Sequence, residues 1–161
     1  MQNSTNTTYQ ERMIEAYINK PSKTLWYQLS FQKFNINGID TMKWNWSWWA
    51  FGGGFLYLLY RKEYLASLIL FIASMTIGMI PFAGLFLMIL SGGYGSYFVY
   101  KGYKAKLSEI ENIIENEDER VETMSAVGGY HEWVVWVYSI FMSIIIFFVS
   151  SIVYTAMTNA P

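Results

Sequence analysis

Three stretches of the chain, 44–60, 64–100 and 133–161, contain no Asp, Glu, Lys, Arg or His. All charge falls in 1–43, 61–63 and 101–132. Two of the uncharged runs exceed the ~20 apolar residues with which a helix crosses a bilayer. They also lack the polar face that a soluble amphipathic helix keeps toward water. The pattern predicts an all-α integral membrane protein. It has three transmembrane helices plus an aromatic interfacial or re-entrant helix, or four spans, together with short cytoplasmic helices.

The order of segments follows from the same alternation. Residues 1–43 form an N-terminal cytoplasmic amphipathic segment, frayed over the Ser/Thr/Asn-rich residues 1–8. The capping-box spacing of Thr8-Tyr9-Gln10-Glu11 and the recurrence of Tyr9, Met13, Ala16 and Tyr17 predict a helix that stops before Pro21. A second amphipathic stretch covers 22–34, with Leu25, Trp26, Leu29 and Phe34, before the turn signal Asn35-Ile36-Asn37-Gly38. Residues 44–63 are an interfacial or re-entrant aromatic helix. Trp44, Trp46, Trp48 and Trp49 anchor it at the membrane boundary, because indole favours the headgroup level.

As one straight helix, 64–100 would be roughly 55 Å long against a hydrocarbon core of about 30 Å. It folds back as a transmembrane hairpin with arms near 64–79 and 82–100, broken at Gly78-Met79-Ile80-Pro81. Gly92, Gly93 and Ser96 in the second arm supply a small-residue face for helix packing. Residues 101–132 carry a charged cytoplasmic helix with heptad spacing at Leu107, Ile110, Ile114, Val121 and Met124. A second aromatic belt, Trp133, Trp136 and Tyr138, opens the final transmembrane helix in 133–161.

Charge placement orients the chain. Lys and Arg favour the cytoplasmic side, which puts Arg61-Lys62 and Lys101, Lys104 and Lys106 inside and the uncharged tip at Pro81 outside. The basic N-terminal region belongs inside as well. Segment 44–60 then enters and leaves on one face, which is tolerated where protein covers the backbone. The alternative is a fourth span with the N-terminal region exported. No signal peptide precedes these segments, so insertion is expected through the chain's own spans.

The runs Asn45-Trp46-Ser47-Trp48-Trp49-Ala50-Phe51 and Tyr57-Leu58-Leu59-Tyr60-Arg61-Lys62-Glu63-Tyr64 carry a resemblance. They resemble a family of small bacterial inner-membrane proteins of unknown function, in which an Asn-Trp-x-Ala-Phe run precedes a Tyr-Arg-Lys-x-Tyr run. Tyr17-Ile18-Asn19-Lys20 and Gly128-Gly129 are similar to further points of that family. Two features depart from it: the additional Trp48-Trp49 and the triplet Gly52-Gly53-Gly54. The resemblance implies the membrane class and a bacterial inner-membrane location, and no mechanism.

Composition narrows the chemistry. The net charge of −1 gives no nucleic-acid footprint, and the absence of cysteine excludes disulfides and thiol chemistry. His131-Glu132 is the one histidine with an acid beside it, too few ligands for a metal site. Arg61 and Lys62 are candidate contacts for a lipid headgroup or a partner carboxylate, or anchors that snorkel to the headgroups. Glu115, Glu117, Asp118 and Glu119 read as a solvated helix face, without calcium-loop spacing. Asn45-Trp46-Ser47 fits the glycosylation pattern by chance. The spans hold no charge for a proton relay, and no base for a serine nucleophile. Ser139 and Ser143 fit interhelical hydrogen bonding. No cofactor is expected. The expected function is a non-catalytic accessory or structural subunit of a bacterial inner-membrane complex, packed on a membrane-protein partner or on copies of itself. The alternative is a homo-oligomeric channel or small-solute permease with glycine-lined interfaces. A lipid-handling protein using Arg61-Lys62 and the tryptophans is a third reading.

Overall fold

The computed structural model describes residues 2–78 and 80–158, the side chains of 2–8 excepted. Met1, Met79 and residues 159–161, assigned above to the N-terminal segment, the hairpin and the last span, lie outside it. The order of elements is α1 (Gln2–Ile18), α2 (Pro21–Phe34), β1 (Asn35–Ile36), β2 (Ile39–Asp40), α3 (Trp48–Gly53), α4 (Phe55–Tyr60), α5 (Tyr64–Ile77), α6 (Ala83–Ile113), α7 (Glu117–Val127) and α8 (Glu132–Thr158). The protein is mostly helical, and among the described residues two helices, α6 and α8, are long and apolar enough to cross a membrane.

Helix α1 begins at Gln2, six residues before the expected cap. Ser, Thr and Asn cost at most about 0.7 kcal/mol each in a helix, so the packed turns after Tyr9 extend backward through them. It ends ahead of Pro21, which occupies the first turn of α2, where its missing N–H costs nothing. The antiparallel β1–β2 ladder turns at Asn37-Gly38, both at positive φ (53° and 83°), as a two-residue hairpin loop requires.

Segment 44–63 is not one helix. An extended lead runs to Ser47, whose hydroxyl caps α3 by accepting from the Ala50 N–H at 3.3 Å. Gly54, at φ 52°, then separates α3 from α4. Six residues each, these helices are about 9 Å long. The 101–132 region also differs from expectation. The second hairpin arm continues unbroken to Ile113, and the chain turns at 114–116 before α7. Leu107, Ile110, Ile114, Val121 and Met124 do join the core, but as the two sides of a bend, with α1 packed against α7.

The core is aromatic. Tyr17, Tyr27, Phe31, Phe34, Tyr100 and Tyr103 are buried in one cluster with Met13, Ile18, Leu58, Val99 and Met124. Phe31 stacks on Tyr103 at 5.3 Å between centroids and meets Tyr100 edge-on at the same distance. Helix α2 therefore buries Thr24, Tyr27, Ser30, Phe31 and Phe34. Leu25, Trp26 and Leu29, the apolar positions first apparent in the sequence, lie on the outward side. Helix α8 stands away from this body. Val134 is its only buried described residue, and the Tyr138 hydroxyl reaches the Gly52 carbonyl at 3.3 Å.

Candidate functional site: the Arg61–Glu63 node and the Asn45 clamp

Helix α4 ends in a Schellman motif. The Lys62 N–H bonds the Leu59 carbonyl at 3.0 Å and the Glu63 N–H bonds the Leu58 carbonyl at 2.9 Å. The left-handed position, normally glycine, is Lys62 at φ 62°. A non-glycine residue there costs roughly 1–2 kcal/mol. Its side chain offsets that cost, because Nζ donates to the Gly128 carbonyl at the end of α7. Lys106 donates to the adjacent Val127 carbonyl at 3.5 Å, so two ammonium groups meet the negative end of one helix dipole. Gly128 leaves no room for a side chain: a Cβ would lie 2.6 Å from the Tyr17 carbonyl and 2.8 Å from that of Met124.

Arg61 is placed by this turn into the body, and only 4% of it is exposed. Nε donates to the Tyr27 hydroxyl at 3.0 Å and Nη1 to the Ile18 carbonyl at 3.1 Å. The guanidinium lies 4.6 Å from the Tyr27 ring centroid and 5.4 Å from that of Tyr60. The Tyr27 and Tyr57 hydroxyls meet at 2.9 Å. Arg61, from the sequence a candidate headgroup or partner contact, is thus engaged within the chain itself. Arg61 joins α1, α2 and α4 from within, and Lys62 is engaged with Gly128. Lys20 joins the same node, 5.1 Å from the Tyr130 ring centroid.

Glu63 is the acid of the node. It accepts from the Tyr17 hydroxyl at 2.5 Å. Burial pushes its carboxyl above the ordinary value of 4.5, while the Tyr17 bond and the Lys106 charge pull it back. Protonation therefore favours the fold. The stability that Glu63 contributes is complete below about pH 4.5 and is lost as pH rises through the elevated value. Glu63→Gln keeps the neutral form throughout. The difference in Tm between this variant and the wild type is expected to widen in favour of Gln from pH 4.5 toward neutrality. A difference that is flat across that interval, measured in detergent, is the contrary outcome.

A second polar centre lies further along α6. The extended lead runs beside the glycine face, where the Asn45 N–H donates to the Gly93 carbonyl at 2.9 Å and the Ser47 N–H to Gly92 at 2.8 Å. Without side chains to screen them, these helix carbonyls accept a second bond. The Asn45 amide donates to Ser30 at 3.0 Å and Ser96 at 3.1 Å, and accepts from Lys33 at 3.0 Å. Ser91 donates to the Ala50 carbonyl at 2.8 Å. The small residues do allow close approach, but to an extended strand and the short α3, not to another long helix. The Trp46 ring carbons come within 2.9 Å of where a Gly92 Cβ would be, and Trp44 covers Gly93. Trp46 thus packs on α6, and its Nε1 is buried with no acceptor among the described residues. Trp48 and Trp49 on α3, Trp44 at the edge, and Trp133 and Trp136 on α8 are exposed.

The remaining candidates have local roles. The acidic run opens α7: the Asn116 side chain accepts from the Asp118 and Glu119 N–H groups at 2.9 and 3.3 Å, and the carboxylates sit at the positive end of the dipole. His131 Nε2 meets the Tyr64 hydroxyl at 2.7 Å. Ser139 and Ser143 bond carbonyls one turn back in α8, at 2.8 Å each, in place of the expected interhelical partners. Compared with known protein families, curated proteins and solved structures, the chain matches none.

Proposed function

We propose that this chain is a non-catalytic accessory subunit of a bacterial inner-membrane complex. The α5–α6 hairpin and α8 hold it in the bilayer, and the N-terminal helices lie in the cytoplasm. The observation that carries the reading is α8: from Ser139 to Thr158 no side chain is buried against the rest of the molecule. In lipid, helices associate through close packing and not through hydrophobicity. A span that its own chain leaves unpacked is suited to pack on another protein. The glycine face of α6, which motivated the channel alternative, is already filled by Trp44, Trp46 and Ala50 of the same chain. The resemblance to a small bacterial inner-membrane family supports the location and rests on the residues named for it.

The test is purification from the native host in mild detergent, once with the intact chain and once with 139–158 replaced by a Leu/Ala span of equal length. A stoichiometric second protein that is lost with the replacement is expected. A pure homo-oligomer from the intact chain would sink the reading and point to the channel alternative.

A further inference from the structure

Helix α2 is apolar on both faces. Its inner face enters the aromatic core, yet Leu25 (67% exposed) and Leu29 lie on the opposite side. The outward surface continues through Ile39 (70% exposed) at the hairpin tip and Trp44 to Trp48 (73% exposed) and Trp49. A face of this size turned to water would be an aggregation liability in a monomer. Its charge is one-sided. From 19 to 49 the chain carries Lys20, Lys23, Lys33 and Lys43 against Asp40 alone, and Asp40 is held by the Tyr100 hydroxyl. Seven of the twelve acids are gathered elsewhere, from Glu109 at the end of α6 to Glu122 on α7. A cleft of about 470 Å³ opens on this face, with Trp26 and Leu29 among its walls and Lys33 and Asn45 also lining it.

We propose that the outward face of α2, the β1–β2 tip and the exposed tryptophans together form a docking surface for an anionic lipid leaflet. Apolar side chains beside a fringe of lysines are the features by which interfacial helices bind such a surface. Each lysine near it adds attraction to anionic headgroups. Tryptophan prefers that same depth. The surface is also continuous with the apolar hairpin, since Trp44 and Trp46 pack on α6 itself. The N-terminal unit is therefore seated in the headgroup layer and does not hang free in the cytoplasm. This inference rests on the membrane reading above and adds the lipid class and the contacting face.

The chain has no cysteine, so single cysteines can be labelled cleanly. Leu29→Cys, Ile39→Cys, Glu122→Cys on α7 and Ile146→Cys on α8 are each labelled with a fluorescent probe. The full chain is reconstituted in vesicles of phosphatidylcholine, with or without phosphatidylglycerol. In the presence of phosphatidylglycerol, the probes at 29 and 39 are expected to be quenched by spin-labelled lipid and several-fold less by aqueous iodide than the probe at 122. Adding Lys23→Glu and Lys43→Glu should return the probe at 39 to iodide while the probe at 146 stays in lipid. Iodide access at 29 and 39 equal to that at 122, with 146 in lipid, would overturn the docking surface and leave the membrane reading standing. Iodide access at 146 as well would overturn both. Shielding at 29 and 39 without lipid quenching would assign the face to a protein partner and overturn the proposal.

Discussion

Gly95→Leu is expected to peel α3 from α6. A Cβ at this position would lie 2.7 Å from the Ala50 Cβ and 3.2 Å from the Tyr57 ring. Neither neighbour can yield easily. The Ala50 methyl is fixed to the backbone of a six-residue helix, and Tyr57 is held by its bond to Tyr27. Overpacking of a tight contact costs typically 1–3 kcal/mol, and a full leucine belongs at or above the upper end, about 3 kcal/mol. The readout is thermal unfolding in detergent together with tryptophan emission, since Trp44, Trp46, Trp48 and Trp49 flank the contact. A lowered Tm and a red shift are expected. Gly84→Leu is the matched control on the same helix, because a Cβ there meets nothing within 4 Å. Equal behaviour of the two variants would contradict a close α3–α6 contact.

Arg61→Ala is expected to release the N-terminal helices α1 and α2 from α4. Within the described residues the Arg61 charge is compensated by two tyrosine rings, a hydroxyl and the Ile18 carbonyl, with no carboxylate in direct contact. Truncation leaves the end of α1 without its donor and opens a cavity beside Tyr27. Hydrogen bonds from charged groups contribute about 1.5–3 kcal/mol, and partly desolvated cation–π contacts add about 1–2. A loss of about 3 kcal/mol is the expected scale. Arg61→Lys should be destabilising in the same direction, since one ammonium on a flexible stem cannot reproduce two divergent N–H bonds and a stacked plane. Limited proteolysis should then cut near Lys20 and Lys23 well before the hairpin is lost. An Arg61→Ala protein of normal stability that has only shed bound lipid would restore the headgroup reading of this residue.

The apolar helices α5, α6 and α8, and the break between the first two around Pro81, were legible because a run free of charge has few alternatives in a chain of this composition. The Asn37-Gly38 turn was legible for an equally local reason, since two positive φ values favour that dipeptide. What escaped the sequence depends on contacts between distant segments. Arg61 looks the same in a list of residues whether it faces phosphate or tyrosine, and only the Schellman turn at Lys62 aims it inward. Of the apolar positions expected on α2, Phe34 is buried, while Leu25, Trp26 and Leu29 face outward and Tyr27, Ser30 and Thr24 take the inner side. The tyrosines are buried nonetheless, since Arg61 satisfies the Tyr27 hydroxyl and Glu63 that of Tyr17. Tyr97, Tyr100 and Tyr103, spaced by three along α6, were the available signal. Asn45 was passed over as a chance glycosylation match. An amide in an uncharged aromatic run, near serines that share its burial, is the pattern that marks it.

Helix α6 is the one element that belongs both to the hairpin and to the acidic end of the molecule. At 31 residues it is about 46 Å of continuous hydrogen-bonded rod. Its glycine-rich stretch is braced by the aromatic lead, so the place where it would most readily bend is splinted. Such a rod acts as a lever. A tilt of about 10° at the hairpin end carries the far end sideways by about 8 Å over that length. Helix α7 and the Arg12–Asp118 ion pair move with it. A tilt imposed on the hairpin end would be delivered as a displacement of the acidic surface, without any segment having to unfold.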